Sequence, residues 1–242
     1  ITECKEGTLF VYDSGLLVCI NGEMRRIVWM NDYIPAKTAP RKHTYSAFVD
    51  KNENVWVYGI PGIRIYNKEQ GKWIPSMSAL AELWGLPADP MIDNGVMGMG
   101  QDADGVLWIA TRHHGLLITN PKEKTMVWKH ADEKDARSLK HNSLRTLYVT
   151  PDKDMVWVGA AKSGLAYYAG STFKFYTDLR VDVTAVAPCG SNAYWVGTTN
   201  KGIGCYKPLT GEMRYLNASV DFTRHEIFAL HIGCEGWLWV AT

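Results

Sequence analysis

The sequence predicts an all-β protein, a β-propeller with four-stranded antiparallel blades. One phrase recurs along the chain, clearly at Val55–Tyr66, Leu107–Ile118, Val156–Tyr167 and Tyr194–Cys205, weakly at Leu9–Ile20, and cut short at Leu238–Thr242. Its anchors lie 38 to 52 residues apart, at Phe10, Trp56, Trp108, Trp157, Trp195 and Trp239. This period is close to that of one four-stranded propeller blade.

Three positions of the repeat have a physical role. The tryptophan is large enough to fill the gap between neighbouring blades. The small residue two positions later, as at Gly159 and Gly197, leaves room near the crowded axis. The glycine seven positions after the tryptophan, as at Gly115, suits a positive φ at the turn into the third strand. A single blade cannot bury both faces of its sheet, so the blades must stack radially.

Four units contain four strands each, because β-branched and aliphatic segments alternate with turn residues such as Asp104-Gly105. The first comprises Tyr45–Val49, Val55–Tyr58, Gly62–Tyr66 and Lys72–Ile74. The second comprises Val96–Gly100, Leu107–Ala110, Leu116–Thr119 and Met126–Lys129. The third comprises Leu144–Val149, Met155–Gly159, Gly164–Tyr168 and Thr172–Tyr176. The fourth comprises Val181–Ala187, Tyr194–Gly197, Gly202–Tyr206 and Glu212–Leu216.

The two terminal units are incomplete. The N-terminal unit supplies the three later strands of a blade, Thr8–Tyr12, Gly15–Ile20 and Glu23–Val28. The C-terminal unit supplies the first two, Ile227–Ile232 and Leu238–Ala241. The units span approximately residues 1–30, 43–76, 95–130, 142–177, 181–217 and 225–242 of one propeller segment, about five blades in all. The chain opens at Ile1 without an initiator methionine and stops inside an apolar strand, so we expect it to be cut from something longer and its ring to be open.

Composition excludes several classes of protein. The net charge is +1, with 26 basic and 25 acidic residues interspersed, so nucleic acid is not an expected partner. No apolar run approaches roughly 18 residues, so no membrane segment is expected. The five cysteines, at positions 4, 19, 189, 205 and 234, contain no C-x-x-C pair. They are expected to act as small hydrophobic residues rather than in metal or redox chemistry, and no cofactor is expected.

The repeat resembles that of the two-component regulator propellers. Its pattern is W-[IV]-[GA]-[TA]-x-x-x-G-[LI], preceded by D-x-x-G and followed by an Asn/Pro turn. The segment Asp135–Arg145 is similar to that family's connector between blades, and Asp93–Val96 keeps its second half. The resemblance covers nearly the whole chain. Departures are Phe10 in place of the tryptophan, Gly62 six rather than seven residues after Trp56, and Cys189-Gly190 in place of the Asp turn.

The resemblance implies a function. Such propellers are typically the periplasmic sensor region of hybrid two-component histidine kinases of gut Bacteroidetes, many of which respond to oligosaccharides. It also implies a seven-bladed ring, of which this chain would be a part, and a membrane-anchored parent, expected to be a homodimer. The expected ligand is a small molecule, an oligosaccharide. The signalling chemistry would lie outside this segment, which is therefore not expected to be an enzyme.

Catalytic motifs do not stand out. The sequence contains no G-x-S-x-G, P-loop or H-E-x-x-H pattern. His113-His114 is the one suggestive pair, and adjacent residues of a tight loop rarely point the same way. We therefore interpret the pair as a solvated loop or a ligand contact, and no metal site is expected.

Topology gives a better argument for a site. In a four-stranded meander, the loops from strand two to three and the connectors from strand four to the next blade emerge at one end, the connector end. The one-to-two and three-to-four turns emerge at the other, the turn end. Loops longer than geometry requires tend to carry function. Cationic and planar donors suit hydroxyl-rich or anionic sugars. The candidate ligand-binding residues are Arg112, His113, His114, Lys162, Asn200, Lys201, Arg224 and His225.

Trp84 completes the candidate set. It lies within the only helix-like stretch, Ser76–Leu86, which has Ser76 as N-cap and is ended by Gly85 and Pro87. Its ring could stack on a sugar. Alternatively, Leu80, Leu83 and Trp84 pin this insertion onto the blade rim.

Two other classes of function remain open. A protein–protein scaffold would display an exposed apolar or charged rim. A lyase similar to streptogramin lyase, which uses related repeats, would need a histidine-rich cluster at the channel mouth, where His113, His114 and His225 are available.

Overall fold

The structure is a computed structural model. It describes residues 2–4, 7–12, 15–20, 23–29, 45–59, 62–87, 95–150, 155–169, 171–176, 180–216, 221–233 and 235–242.

The chain forms five four-stranded antiparallel sheets and one two-stranded sheet, each a meander in chain order. Sheet 1 comprises β1 (Thr2–Cys4), β2 (Gly7–Tyr12), β3 (Gly15–Ile20) and β4 (Glu23–Trp29). Sheet 2 comprises β5 (Tyr45–Val49), β6 (Val55–Gly59), β7 (Gly62–Asn67) and β8 (Lys72–Ile74). Sheet 3 comprises β9 (Val96–Gln101), β10 (Leu107–Thr111), β11 (Leu116–Asn120) and β12 (Thr125–Lys129).

The remaining sheets follow the same plan. Sheet 4 comprises β13 (Leu144–Val149), β14 (Val156–Ala160), β15 (Gly164–Ala169) and β16 (Thr172–Tyr176). Sheet 5 comprises β17 (Val183–Pro188), β18 (Tyr194–Thr198), β19 (Ile203–Lys207) and β20 (Glu212–Tyr215). Sheet 6 comprises β21 (Ala229–Ile232) and β22 (Leu238–Ala241). The predicted blades, about five in number, are confirmed.

Several strand bounds differ from the prediction by one or two residues, and three differences have a local explanation. Sheet 1 has a fourth strand, because Thr2–Cys4 pairs with β2 in the register Thr2↔Leu9; three residues are too few to reveal a strand by alternation. β17 begins at Val183 rather than Val181, since Asp182 is used in the connector, where its backbone carbonyl accepts from Thr199 N at 3.2 Å. β21 begins at Ala229 rather than Ile227, because the Ile227 amide donates to the Thr198 carbonyl of sheet 5.

The sheets pack face to face in chain order, and the first strands of sheets 3, 4, 5 and 6 contact one another in succession. The repeat tryptophans of sheets 2 to 5 each pack against the sheet that follows their own. Trp56 lies against sheet 3, Trp108 against sheet 4, and Trp157 against sheet 5. Trp195, half-buried, packs against Ile227 and sheet 6. The prediction that this residue fills the gap between blades is confirmed.

Trp157 has the most crowded setting of these residues. It is fully buried, and its ring centroid lies 4.9 Å from that of Tyr167 on its own sheet. The rings of Tyr194 and Tyr206 from sheet 5 have centroids at 4.3 Å and 5.9 Å. Aromatic pairs at such separations stabilise beyond the area they bury.

The small residue two positions after the tryptophan is required by close packing. A Cβ added to Gly197 would lie 2.6 Å from Ile227 Cγ2 on the next unit, and one on Gly159 would collide with the Val183 carbonyl. The turn glycine is also as predicted. Gly115, Gly164 and Gly202 have φ of 83°, 75° and 71°, a region that favours glycine.

An aspartate fixes the turn between the first two strands. In sheet 3, Asp102 Oδ1 accepts from the backbone N–H groups of Asp104 (3.1 Å) and Val106 (2.9 Å). Its Oδ2 accepts from Trp108 Nε1 at 2.8 Å. Asp50 makes the same bond to Trp56 Nε1, also at 2.8 Å. One carboxylate therefore holds both the turn and the tryptophan.

The helix α1 (Met77–Leu83) lies in the connector after sheet 2, and the Ser76 hydroxyl caps it by accepting from Ala79 N at 3.0 Å. Met77, Leu80 and Ala81 are buried, the first two in the core shared with sheets 2 and 3. Leu83 is 67% exposed, so the expectation that it helps to pin this insertion is wrong. Within the described residues, no helix has the length and apolarity needed to cross a membrane.

Sheet 6 leaves three aromatic side chains uncovered by described residues. Phe228, Trp237 and Trp239 are 63%, 67% and 66% exposed. Trp239 is the repeat tryptophan of this sheet, and its equivalents in sheets 2, 3 and 4 are buried.

Replacing Trp157 by alanine is expected to lower the free energy of unfolding by about 3–5 kcal/mol, since it removes a fully buried ring and opens a cavity between two sheets. Trp237→Ala removes the same side chain from an exposed site and should change it by less than about 0.5 kcal/mol. Denaturant titration followed by circular dichroism compares the two. Equal losses of stability in the two variants would contradict the role of Trp157 in filling the gap between sheets 4 and 5.

Asp102→Ala is expected to cost about 1–3 kcal/mol, because it leaves the Trp108 indole N–H and two turn amides without their acceptor. Asp104→Ala, two residues away on the same turn, is the matched control and should be close to neutral. The near-ultraviolet circular dichroism of the tryptophans should change only in the first variant. An unchanged spectrum in Asp102→Ala would show that the hydrogen bond from Trp108 to Asp102 does not hold the tryptophan in place.

Candidate functional site

A cavity of about 640 Å³ opens where the first strands of successive sheets begin. It is lined by Ser46, Tyr58, Gly59, Val96, Met97, Arg145, Thr146, Thr184, Glu226 and Phe228. Sheets 2 to 5 supply its walls, together with the segment leading into sheet 6. We call it the central cavity; it lies at the connector end, which is the end that the sequence predicted for the site.

The local sequence places these side chains. A buried aliphatic residue stands at the start of β9, β13 and β17 and two residues before β21: Val96, Leu144, Val183 and Ile227. The residue that follows lines the cavity in every case: Met97, Arg145, Thr184 and Phe228. In sheets 3, 4 and 5 the register between the first two strands shifts at this position, so Met97, Arg145 and Thr184 fall outside the paired register and line the cavity.

Arg145 carries the positive charge of the cavity. Its Nε donates to Asp182 Oδ2 at 3.0 Å, and the two side chains are 33% and 19% exposed. The other oxygen of Asp182 accepts from the backbone N–H of Lys162 at 2.8 Å. This carboxylate therefore orients the guanidinium and joins the connector before sheet 5 to sheet 4. The ion pair uses one of the five donors of the guanidinium.

Hydroxyl groups supply most of the other polar surface. Burial raises the pKa of Tyr58, while hydrogen bonds with Ser46 and the Met99 backbone oppose that shift, so the phenol stays neutral. Thr184 Oγ1 donates to the Ile227 carbonyl at 2.5 Å. Phe228, Met97 and Val96 form the apolar part of the wall, and the exposed Glu226 adds a negative charge. The cavity can thus both hydrogen-bond a ligand and pack against its apolar faces.

The predicted loop residues lie around this cavity rather than in its wall. Arg112, His113 and His114 follow β10, and the Arg112 N–H donates to the Gly95 carbonyl at 2.8 Å, beside Val96. Lys162 is linked to Arg145 through Asp182. Asn200 and Lys201 follow β18; Arg224 and His225 precede β21. None of these eight residues lines the central cavity, and their part in ligand binding stays a prediction.

Sequence reasoning missed the residues that do line it, above all Arg145, Thr184 and Glu226. The repeat did contain a signal for them: the residue that follows the aliphatic position at the start of each unit.

Trp84 lies apart from the other candidates. It lines a second pocket, of about 470 Å³, with the turn residues Asn52, Asn54, Asn67 and Glu69. These belong to the turn end of sheet 2. Trp84 also packs, partly buried, against the core of sheets 2 and 3.

The histidine pair has no ligand set around it in the described part of the chain. His113 is exposed and His114 is half-buried, and the His114 backbone N–H donates to Thr111 Oγ1 at 3.0 Å. Within the ranges that the structure describes, no three His, Cys, Asp or Glu side chains come together as metal ligands would.

Comparison with known proteins identifies the repeat. Residues 90–113 match the two component regulator propeller family. No curated protein matches the chain significantly. Among solved structures, the chain is similar to the extracellular domain of a hybrid two component system from B. thetaiotaomicron, with a TM-score of 0.62 and 14% identity, over 94% of this chain and 34% of that one. The chain thus spans about a third of that relative's length.

Two further structures share the fold. A virginiamycin B lyase from Staphylococcus aureus has a TM-score of 0.66 and 13% identity, over 93% of this chain and 69% of that one. The computationally designed Ika8 protein has a TM-score of 0.60 and 12% identity, over 96% and 64%. At such identities the likeness shows the β-propeller fold and leaves function to the site.

Arg145→Ala is expected to lower the free energy of unfolding by about 1 kcal/mol, since it leaves the half-buried Asp182 without its partner. Arg137→Ala breaks an exposed pair with Asp135, in which Arg137 is 74% exposed, and should have almost no effect. Raising the salt concentration should shrink the difference between the two variants. A larger loss in Arg137→Ala would show that the link to Asp182 does not join the sheets.

Proposed function

We propose that this chain, which carries a two-component regulator propeller repeat, is a ligand-sensing segment of the periplasmic region of a hybrid two-component sensor histidine kinase. Its ligand is an oligosaccharide, bound at the connector end, with one sugar unit in the central cavity. The parent is a membrane-anchored homodimer, and the kinase chemistry lies outside this segment. The observation that carries the proposal is a cavity of ligand size at the end of the sheets where the longest connectors emerge.

The cavity suits a sugar in size and chemistry. Small-molecule sites are typically about 300–1,000 Å³, and this one is about 640 Å³. Hydroxyls of Ser46, Thr146 and Thr184 can exchange hydrogen bonds with sugar hydroxyls, and Arg145 can donate to them while Asp182 holds it. Phe228 offers an aromatic face to the apolar side of a ring.

The loop residues extend the site outward. Lys162 and Arg112 lie beside the cavity through their contacts with Asp182 and Gly95, so a second sugar unit could meet them and His114. The lyase alternative needs histidines at this place, and the described residues that line the cavity include none.

Calorimetric titration of the intact sensor region with a panel of oligosaccharides tests the proposal. Thr146→Val and Arg145→Ala are expected to weaken binding by about 5- to 150-fold, since each removes a hydrogen bond worth roughly 1–3 kcal/mol in a desolvated site. Arg112→Ala and His114→Ala should have smaller effects at the rim.

Trp84→Ala is the control at the other end and should leave the affinity unchanged. If that variant alone abolished binding, the site would lie in the pocket of the turn end. If no oligosaccharide bound the intact sensor, the proposed ligand class would be rejected.

A further inference from the structure

Two thiols touch in sheet 5. Cys205 Sγ lies 3.2 Å from Cys189 Sγ, and both side chains are half-buried. Cys205 is on β19, opposite Trp195 of β18. Cys189 follows directly after β17, in the turn that leads into β18.

Cys189 occupies the place of the aspartate that fixes this turn in sheets 2 and 3. The backbone identifies the position. Asp50 N donates to the Asn54 carbonyl at 3.1 Å, Asp102 N to the Val106 carbonyl at 3.0 Å, and Cys189 N to the Ala193 carbonyl at 2.8 Å. A thiol cannot accept the several hydrogen bonds that a carboxylate accepts here, since sulfur is a weak acceptor. The turn of sheet 5 therefore lacks the tie to its tryptophan that the two other sheets possess.

We propose that Cys189 and Cys205 form a disulfide that takes over this tie, joining the turn after the first strand of sheet 5 to the third strand. The sulfur atoms are already in contact, and a bond requires them to approach by about 1 Å. The turn can supply that movement. Gly190 has φ of 72° with no atom within 4 Å of an added Cβ, and Ser191 and Asn192 are exposed.

The chemistry is a thiol–disulfide exchange with an external disulfide oxidant. One thiolate attacks the oxidant and releases one of its sulfurs as a thiol. The second cysteine then attacks the mixed disulfide and releases the other. The two cysteines lose two protons and two electrons, and both sulfurs of the oxidant leave as thiols. Burial, reinforced by the neighbouring Cys205 thiol, raises the pKa of Cys189 to about 12, which disfavours the thiolate of Cys189 in the reduced chain.

Peptide mapping of the intact chain tests the proposal directly. Each of the five cysteines falls on a different tryptic peptide. Lys207 precedes a proline and is not cleaved, so the peptide with Cys205 is 202–214. After incubation with oxidised glutathione, alkylation of remaining thiols and digestion without reductant, we expect peptide 181–201 linked to peptide 202–214. Cys205→Ser should abolish that species and leave Cys189 open to alkylation.

Thermal unfolding supplies a second measurement. Oxidation should raise the Tm of the native chain on the order of 5–10 °C, and it should leave Cys205→Ser unchanged. Cys189→Asp restores the residue used in sheets 2 and 3, so its Tm should not respond to oxidant.

Three results would overturn the proposal: both thiols fully alkylated after oxidation, a link from either cysteine to a peptide holding Cys4, Cys19 or Cys234, or a Tm shift that survives in Cys205→Ser. The oxidation is carried out on the purified chain, so these results do not depend on the sugar-binding function or on the compartment proposed above.

Discussion

The packing of a tryptophan from each sheet into the face of the next is the interaction on which this structure depends. A four-stranded meander exposes two faces, and only a neighbouring sheet can cover them. The tryptophan sets how far apart the sheets sit, while the glycine two residues later lets the next first strand approach. Large and small residues on one strand thus fix the distance between neighbouring sheets. Buried Trp157 beside Gly159, against Val183, is the clearest case.

The central cavity follows from that packing. Because each first strand is held by a buried aliphatic residue against the neighbouring core, the next residue is turned to the cavity without having to pack anywhere else. Arg145 illustrates the result. Its aliphatic neighbour Leu144 is fully buried, while Arg145 itself is free to pair with Asp182 and to face the cavity. A binding site requires side chains that face the ligand and are held in position by packed neighbours.

The repeat made the strands and the turn glycines predictable, because each position has one local role: Trp108 fills the gap between sheets, and Gly115 adopts a positive φ. The N-cap of the helix was predictable in the same way, since Ser76 caps it with its own side chain. The site was harder. Arg145 and Thr184 become neighbours only when separate sheets assemble around one cavity, and strand alternation does not tell which end that cavity faces. The sequence also did not show that Trp84 lies at the turn end, away from the other candidate residues. A connector of this length can run toward either end of its blade. Thr2–Cys4 was too short to leave a pattern.

The position after the buried aliphatic residue also has an evolutionary consequence. Across sheets 3 to 5 it holds methionine, arginine and threonine, and phenylalanine follows Ile227 before sheet 6. None of these four side chains belongs to the buried core, whereas the aliphatic residue before each of them does. Each of these sheets therefore contributes one variable side chain to the cavity wall. A lineage of such proteins could diversify what it recognises while every blade keeps the same architecture.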